Sequence, residues 1–216
     1  MQSFSKKEAL RFGWNAFTAR PWVFLGATVL MMVVSMVFNK LTEDGGAALT
    51  FVIAIAGTLI QWWLYLGFTR MTLTAYAGGP VGFGLLFGES WKTLLQYAIM
   101  AIISGILVFV GLVLVIVPGI IIYTMICLAP FLILERELTA IESLKESRRI
   151  TRGHKMNIFL FVLLLALINI VGALLLGVGL LVSVPVSLLA FVYIFKEMER
   201  SVALAPQAVP APAPQG

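Results

Sequence analysis

This sequence contains few charged residues. Only 12% of its 216 residues are charged, whereas a soluble domain carries about 25%. Apolar residues make up 61% of the chain, above the roughly 45–50% of soluble domains, and the mean hydropathy is +1.03. Too few polar side chains are present to cover a water-soluble globule, and intrinsic disorder requires low hydrophobicity. The composition therefore predicts an integral membrane protein.

Groups that carry chemistry are also scarce. Cys127 is the single cysteine, which excludes an internal disulfide and a multi-thiolate metal site. His154 is the only histidine and lies in a basic loop. The sequence contains no H-E-x-x-H, G-x-S-x-G or P-loop motif. We therefore expect no catalytic residue, no metal and no cofactor, and we expect that the protein is not an enzyme.

Four long uncharged runs dominate the chain: Trp22–Asn39, Gly45–Thr69, Thr93–Leu134 and Met156–Phe195. A helix needs about 20 apolar residues to cross the hydrocarbon core of a bilayer. The first two runs each fit one crossing, whereas the last two, of 42 and 40 residues, each fit two. Because backbone groups in lipid must pair within their own segment, each crossing is predicted to be a helix. The expected fold is all-α, with six transmembrane helices.

Proline and glycine in the two longer runs indicate where each one turns. Pro118 and Gly119 lie near the middle of the third run, and a proline–glycine pair favours a tight turn. The fourth run is interrupted by Gly177, Gly179 and Pro185. The six spans are therefore predicted to form three hairpins.

The basic residues predict the orientation. Fourteen of the 15 lysines and arginines fall before the first span, between the second and third, between the fourth and fifth, or after the sixth. Lys40 alone falls on the other side. Positively charged residues are retained on the cytoplasmic side, so both termini are expected to be cytoplasmic. The same sorting accounts for the net charge of +5, and nucleic-acid binding is not expected.

Two amphipathic helices are predicted on the cytoplasmic surface. Ser5 and Glu8 have capping-box spacing at the start of the first, which ends before Pro21. The second covers 138–152, where Leu138, Ile141 and Leu144 form an apolar edge. A continuation of this helix past Gly153 would align Lys145, Arg148, Arg152 and Lys155 into one stripe. Basic side chains there can bind lipid phosphates. The candidate headgroup-binding residues are Lys145, Arg148, Arg149, Arg152 and Lys155.

The chain divides into a membrane domain, 1–201, and an Ala/Pro-rich tail, 202–216, expected to be disordered on the cytoplasmic side. Short sequence echoes within the membrane domain suggest three units, each a surface helix followed by a hairpin. Chance matches between hydrophobic segments are the alternative explanation.

No Asp, Glu, Lys, Arg or His lies inside the six predicted spans, which argues against an ion-coupled transporter. Gln61 and Asn169 are the most polar residues there, and an amide in hydrocarbon needs a hydrogen-bond partner. Two interpretations remain open. The amides either pack neighbouring helices together or line a polar cavity.

Several segments carry a family resemblance. They include Pro118-Gly119-Ile120-Ile121, the stretch 129–135, the stretch 140–153, and the run from Gly179 to Pro185. Together they resemble the YciC-like and glycerophosphoryl diester phosphodiesterase membrane-domain group of bacterial integral membrane proteins. The resemblance implies six spans, a cytoplasmic loop motif, and residence in the bacterial inner membrane. It implies no assigned activity, and without a phosphodiesterase barrel in these residues no catalytic residue carries over.

Two functions are consistent with these features. In the first, a non-catalytic protein organises membrane lipids, a protein partner or a second copy of itself at the cytoplasmic surface. The alternative is a passive or flippase-like carrier of a neutral or lipid-like solute, with Gln61 and Asn169 in its cavity.

Overall fold

The computed structural model describes residues 5–43, 46–114, 116–175 and 177–204. Within these ranges the chain forms nine α-helices and one short 3₁₀ helix, Phe83–Leu86, and no strand. The bounds of the α-helices are α1 Lys6–Ala19, α2 Pro21–Glu43, α3 Ala47–Tyr76, α4 Trp91–Leu114, α5 Ile116–Ile126, α6 Ala129–Arg136, α7 Ala140–Ile150, α8 Lys155–Leu174 and α9 Leu180–Leu204.

Six helical segments are long and apolar enough to cross a membrane, which confirms the all-α class and the predicted number of spans. Their bounds are Pro21–Thr42, Ala47–Tyr76, Trp91–Val113, Gly119–Arg136, Lys155–Leu174 and Leu180–Val202. The last of them belongs to α9, which continues to Leu204, beyond the boundary predicted at 201. Residues 205–216 of the predicted tail lie outside the described ranges.

The fourth and sixth spans form the centre of the bundle. In their apolar windows 44% and 50% of the residues are buried, against 11–22% in the other four spans. Phe131 of α6 stacks on Phe191 and Phe195 of α9, with ring centroids 5.7 and 5.3 Å apart. Aromatic stacking of this kind adds to the packing energy of two helices.

The turn predicted at Pro118 and Gly119 is wrong, because both residues lie inside α5. α4 is described to Leu114 and α5 from Ile116. Proline is tolerated there because the first turn of a helix has amide positions without an intrahelical partner. Gly119 serves close packing instead, since a Cβ on it would lie 2.6 Å from the Leu112 side chain.

Pro185 is likewise wrong as a turn residue, because it lies inside α9. α8 ends at Leu174 and α9 begins at Leu180. Between them Gly177 has a φ of +75°, a left-handed conformation that glycine adopts at little cost. Glycine, rather than proline, therefore occupies the left-handed position between the last two spans.

The fourth span contains a break that the uncharged run did not indicate. α5 ends at Ile126, and α6 begins at Ala129 after a turn at Cys127 and Leu128. Pro130 near the start of α6 explains the break, because its ring clashes with the carbonyl four residues earlier and it has no N–H to donate. The interruption leaves backbone carbonyls at the end of α5 in need of other donors.

α1 packs lengthwise on α9 through Ala9, Gly13 and Phe17. Ser5 caps it, its hydroxyl accepting a hydrogen bond from the Glu8 amide at 3.3 Å. A Cβ on Gly13 would lie only 2.5 Å from the Val186 carbonyl oxygen, so the close approach of the two helices requires glycine.

Candidate functional site

α7 begins with a capping box that the sequence interpretation missed. The Thr139 hydroxyl accepts from the Glu142 amide at 3.5 Å, and the Thr139 amide donates to the Glu142 carboxylate at 3.0 Å. The Thr139 hydroxyl also donates to the Glu142 carboxylate at 2.7 Å, and this hydrogen bond, with the one from the Thr139 amide, lowers the pKa of Glu142 below its usual value. The signal was present as Thr-x-x-Glu spacing, and it places the start of α7 at Ala140.

The face of α7 that packs on the protein consists mainly of small residues. Ala140, Ser143, Ser147 and Ile150 are buried, whereas Ile141, predicted on an apolar edge, is 56% exposed. Small side chains allow two helices to approach closely. The buried face of α7 therefore differs from the apolar edge that the sequence indicated.

Ser147 connects α7 to the break in the fourth span. Its hydroxyl donates a hydrogen bond of 2.7 Å to the carbonyl oxygen of Met125 in α5. The Thr151 hydroxyl lies 3.4 Å from the same oxygen. Met125 is four residues before Ala129, the first residue of α6, and the interrupted helix leaves its carbonyl available. α7 thus satisfies a backbone group that the break exposes.

The acidic residue at the centre of α7 is already paired. Arg149 contacts both Glu146 oxygens, with nitrogen–oxygen distances of 2.7 and 2.6 Å, and Arg136 of α6 adds a third contact at 3.0 Å. The hydrogen bonds from Arg149 are the main cause of a lowered pKa of Glu146. Of the five predicted headgroup residues, Arg149 is therefore partly neutralised within the protein.

Three of the other cations remain exposed. Lys145, Arg148 and Arg152 are exposed, and none of them forms an ion pair within the described part of the chain. α7 ends at Ile150, and Gly153 turns the chain with a φ of +89°, so the stripe that required a continuous helix does not form. Lys155 is instead the first residue of α8 and is partly buried.

A network of charged side chains joins α6, α7 and α9 at one end of the bundle. Arg136 pairs with Glu199 as well as with Glu146, and Lys196 pairs with Glu135 and Glu199. The contacts of α9 join residues 61 and 63 apart in the sequence, so no local pattern indicated them. The network holds α7 and the C-terminal part of α9 in a defined relative position.

The two intramembrane amides each join a pair of helices, and they do not meet. Gln61 in α3 donates to the Met31 carbonyl of α2 at 3.2 Å. The Asn169 amide of α8 donates to Ser187 of α9 at 3.0 Å and accepts from Ser183 at 2.8 Å. Of the two interpretations left open, helix packing describes Gln61. Asn169 both packs α8 on α9 and borders a cavity.

That cavity, called here the central cavity, has a volume of about 360 Å³ and lies between α2, α3, α5, α6, α8 and α9. Most of its lining is apolar, and Gln61 is not part of it. Its lining includes Tyr123, Phe131, Ala166, Asn169, Val184 and Leu188.

A second cavity of about 340 Å³ lies on the other side of the break, bordered mainly by α4, α5 and Pro130 of α6. Tyr65, Tyr123 and Cys127 line both cavities. The interrupted fourth span therefore has open space on two sides, separated by these three side chains.

Six helices long and apolar enough to cross a bilayer are typical of a multi-pass membrane protein. The chain belongs to the family described as a domain of unknown function, DUF7847, which matches residues 49–215. The match begins in α3 and includes α7, the break and most of the cavity lining. No curated protein and no solved structure is detectably similar to the chain.

Proposed function

We propose that this protein is a non-catalytic membrane protein that binds anionic lipid headgroups through the exposed basic face of α7. One observation carries the proposal. Lys145, Arg148 and Arg152 are exposed and unpaired within the described residues, while the acidic side chains of α7 are engaged in the capping box and in ion pairs. Each cation near an anionic membrane surface contributes about 1 kcal/mol to binding.

The attachment of α7 supports the same function. Ser147 bonds to the Met125 carbonyl, and Glu146 pairs with Arg136 of α6. A cationic surface held against the bundle from two sides loses little conformational freedom when it binds lipid. Arg149 contributes less because Glu146 already neutralises it, and Lys155 adds a cation at the start of α8.

The proposal includes an orientation. We place α1 and α7 at the cytoplasmic surface of a bacterial inner membrane, with three helical hairpins and both termini on the cytoplasmic side. The distribution of the 15 basic residues supports this arrangement. Reporter fusions after Gly79 and Gly153 are expected to report the cytoplasm, and a fusion after Gly179 the opposite side. A reversed result at Gly153 would contradict the proposal.

The passive carrier is the weaker candidate. It required Gln61 and Asn169 to share one polar cavity, whereas Gln61 bonds to α2 and only Asn169 borders the central cavity. The resemblance to the YciC-like group remains a prediction and names no activity that would favour transport.

The test measures binding of a fluorescent phosphatidylglycerol to the purified full-length protein in mixed micelles. The triple variant Lys145→Gln, Arg148→Gln, Arg152→Gln should bind it more weakly, by about fivefold for each cation removed if each contributes about 1 kcal/mol. Phosphatidylcholine should bind the wild type and the variant equally.

A charge-conserving triple variant, Lys145→Arg, Arg148→Lys, Arg152→Lys, is the matched control and should retain the affinity for phosphatidylglycerol. If the glutamine and charge-conserving variants bind phosphatidylglycerol equally well, headgroup binding by α7 is wrong.

A further inference from the structure

The central cavity lies at the depth of the hydrocarbon core. Two of its lining residues, Val162 and Asn169, are seven and fourteen residues beyond Lys155, the first residue of α8. At about 1.5 Å per residue these positions are about 10 and 21 Å along the helix, inside a core about 30 Å thick. Its volume of about 360 Å³ is in the range of ligand pockets, about 300–1,000 Å³.

The cavity is open toward the outer surface of the bundle. Tyr123 and Val184 line it, yet their exposed fractions are 45% and 39%, and Ala166 is also exposed. All three residues belong to candidate membrane spans. Lipid acyl chains cover the surface of a spanning helix at this depth, so the solvent that meets the opening is hydrocarbon.

The amide in the lining already has its partners inside the protein. The Asn169 amide is bonded to Ser183, Ser187 and the Leu165 carbonyl. Among the described residues, no buried side-chain nitrogen or oxygen lacks a hydrogen-bond partner. Because most of the lining is apolar, a polar solute would lose its hydration and gain few hydrogen bonds in return, which is costly. An apolar chain has no hydrogen bonds to water that it would lose on entering the cavity.

From these three observations we infer that the central cavity binds the acyl chain of a phospholipid, which enters between Tyr123 and Val184. The site is independent of the proposed headgroup surface, because no lining residue belongs to α7. The second cavity, which shares Tyr65, Tyr123 and Cys127 with it, extends the apolar space past the break in the fourth span.

A photoreactive lipid tests the inference on the full-length protein in nanodiscs. The probes are phosphatidylglycerol and phosphatidylcholine, each with a diazirine in one acyl chain, and adducts are mapped by mass spectrometry. Phe131 lines the cavity and is only 1% exposed, so lipid surrounding the bundle does not reach it. We expect adducts on Phe131 with both lipids.

Ala166→Phe should reduce the Phe131 adduct by about fivefold or more, because the phenyl group occupies the space that the chain needs. Ala173→Phe is the matched control. It adds the same group to an exposed position of the same helix that does not border the cavity, and it should leave the adduct unchanged. If Ala166→Phe does not fold, Ala166→Leu and Ala173→Leu repeat the comparison with a smaller side chain.

The inference is overturned if neither lipid labels Phe131, or if the Ala166 and Ala173 variants lose the adduct equally. Failure of the headgroup proposal gives a different pattern. In that case both lipids still label Phe131, and only the preference of the α7 cations for phosphatidylglycerol is missing.

Discussion

The hydroxyl of Ser147 lies 2.7 Å from the carbonyl oxygen of Met125, 22 residues earlier in the chain. This hydrogen bond joins a polar helix to the end of an interrupted transmembrane helix. A buried carbonyl without a donor costs about 1–3 kcal/mol. The structure at the break therefore depends on α7, even though α7 is outside the six spans.

Ser147→Ala should lower the free energy of unfolding by about 1 kcal/mol, the lower end of that cost, because Thr151 remains near the same carbonyl. The measurement is the thermal midpoint of the purified protein in detergent. Ser143→Ala is the control, since Ser143 is equally buried but bonds only to Ala140 of its own helix. An equal loss in both variants would mean that the contact with Met125 contributes nothing specific.

Gly13→Ala should destabilise the protein by about 1–3 kcal/mol, the usual cost of overpacking. The added Cβ would lie 2.5 Å from the Val186 carbonyl and 3.1 Å from the Ala190 nitrogen, which are backbone atoms. Gly105→Ala in α4 should instead be neutral or stabilising, because nothing lies within 4 Å of its Cβ position and alanine favours helix. Thermal unfolding of both variants decides whether α1 is held by this contact.

Gln61→Leu and Asn169→Leu should each reduce stability by about 0.6–2 kcal/mol, as expected for interhelical hydrogen bonds in membranes. The two side chains join different pairs of helices, so their effects should add to within about 0.5 kcal/mol in the double variant. A larger departure from additivity would indicate that the two amides act on a common site, as the carrier hypothesis requires.

Stability should fall at acidic pH through Glu146. Arg149 and Arg136 lower its pKa in the folded protein below the usual 4.5, so folding favours the carboxylate form. The stability that these ion pairs contribute is fully present above the pKa of Glu146 in the unfolded chain. It is lost as the pH falls through the lower pKa of Glu146 in the folded protein. Glu146→Gln should therefore lower stability at pH 7 and weaken the decline of the thermal midpoint below about pH 4.5.

Glu137→Gln is the matched control for this pH dependence, because Glu137 forms no ion pair within the described residues. It should leave the slope below pH 4.5 as in the wild type. If Glu146→Gln also keeps the wild-type slope, the Arg136–Glu146–Arg149 pairing does not contribute to acid sensitivity.

Hydropathy predicts the number of spans in this fold, whereas turn residues predict the positions of the turns less well. The number of spans follows from the length of apolar runs, a local property that any neighbouring structure leaves intact. The positions of the turns are determined less by the local sequence. Pro118 and Pro185 both indicate turns in the sequence, and both lie inside helices. Pro118 is in the first turn of α5, where amides lack an intrahelical partner, whereas Pro185 lies beyond the first turn of α9.

For the candidate site, too, some features follow from the sequence and others only from the tertiary structure. The positive charge of the 140–155 segment is evident from the sequence alone, but which cations are free is not. Arg149 is neutralised by Glu146, whose other partner, Arg136, is ten residues away. Asn169 and Gln61 look equivalent as polar residues in apolar runs, yet only one of them borders the central cavity.

By itself, the sequence determined that the chain is helical and crosses a membrane, because hydrophobicity summed over about 20 residues decides insertion. Only the tertiary structure decided that Ser147 faces the protein while Ile141 is exposed. The reason is that the burial of a polar face depends on a distant acceptor, here the Met125 carbonyl close to the break between α5 and α6.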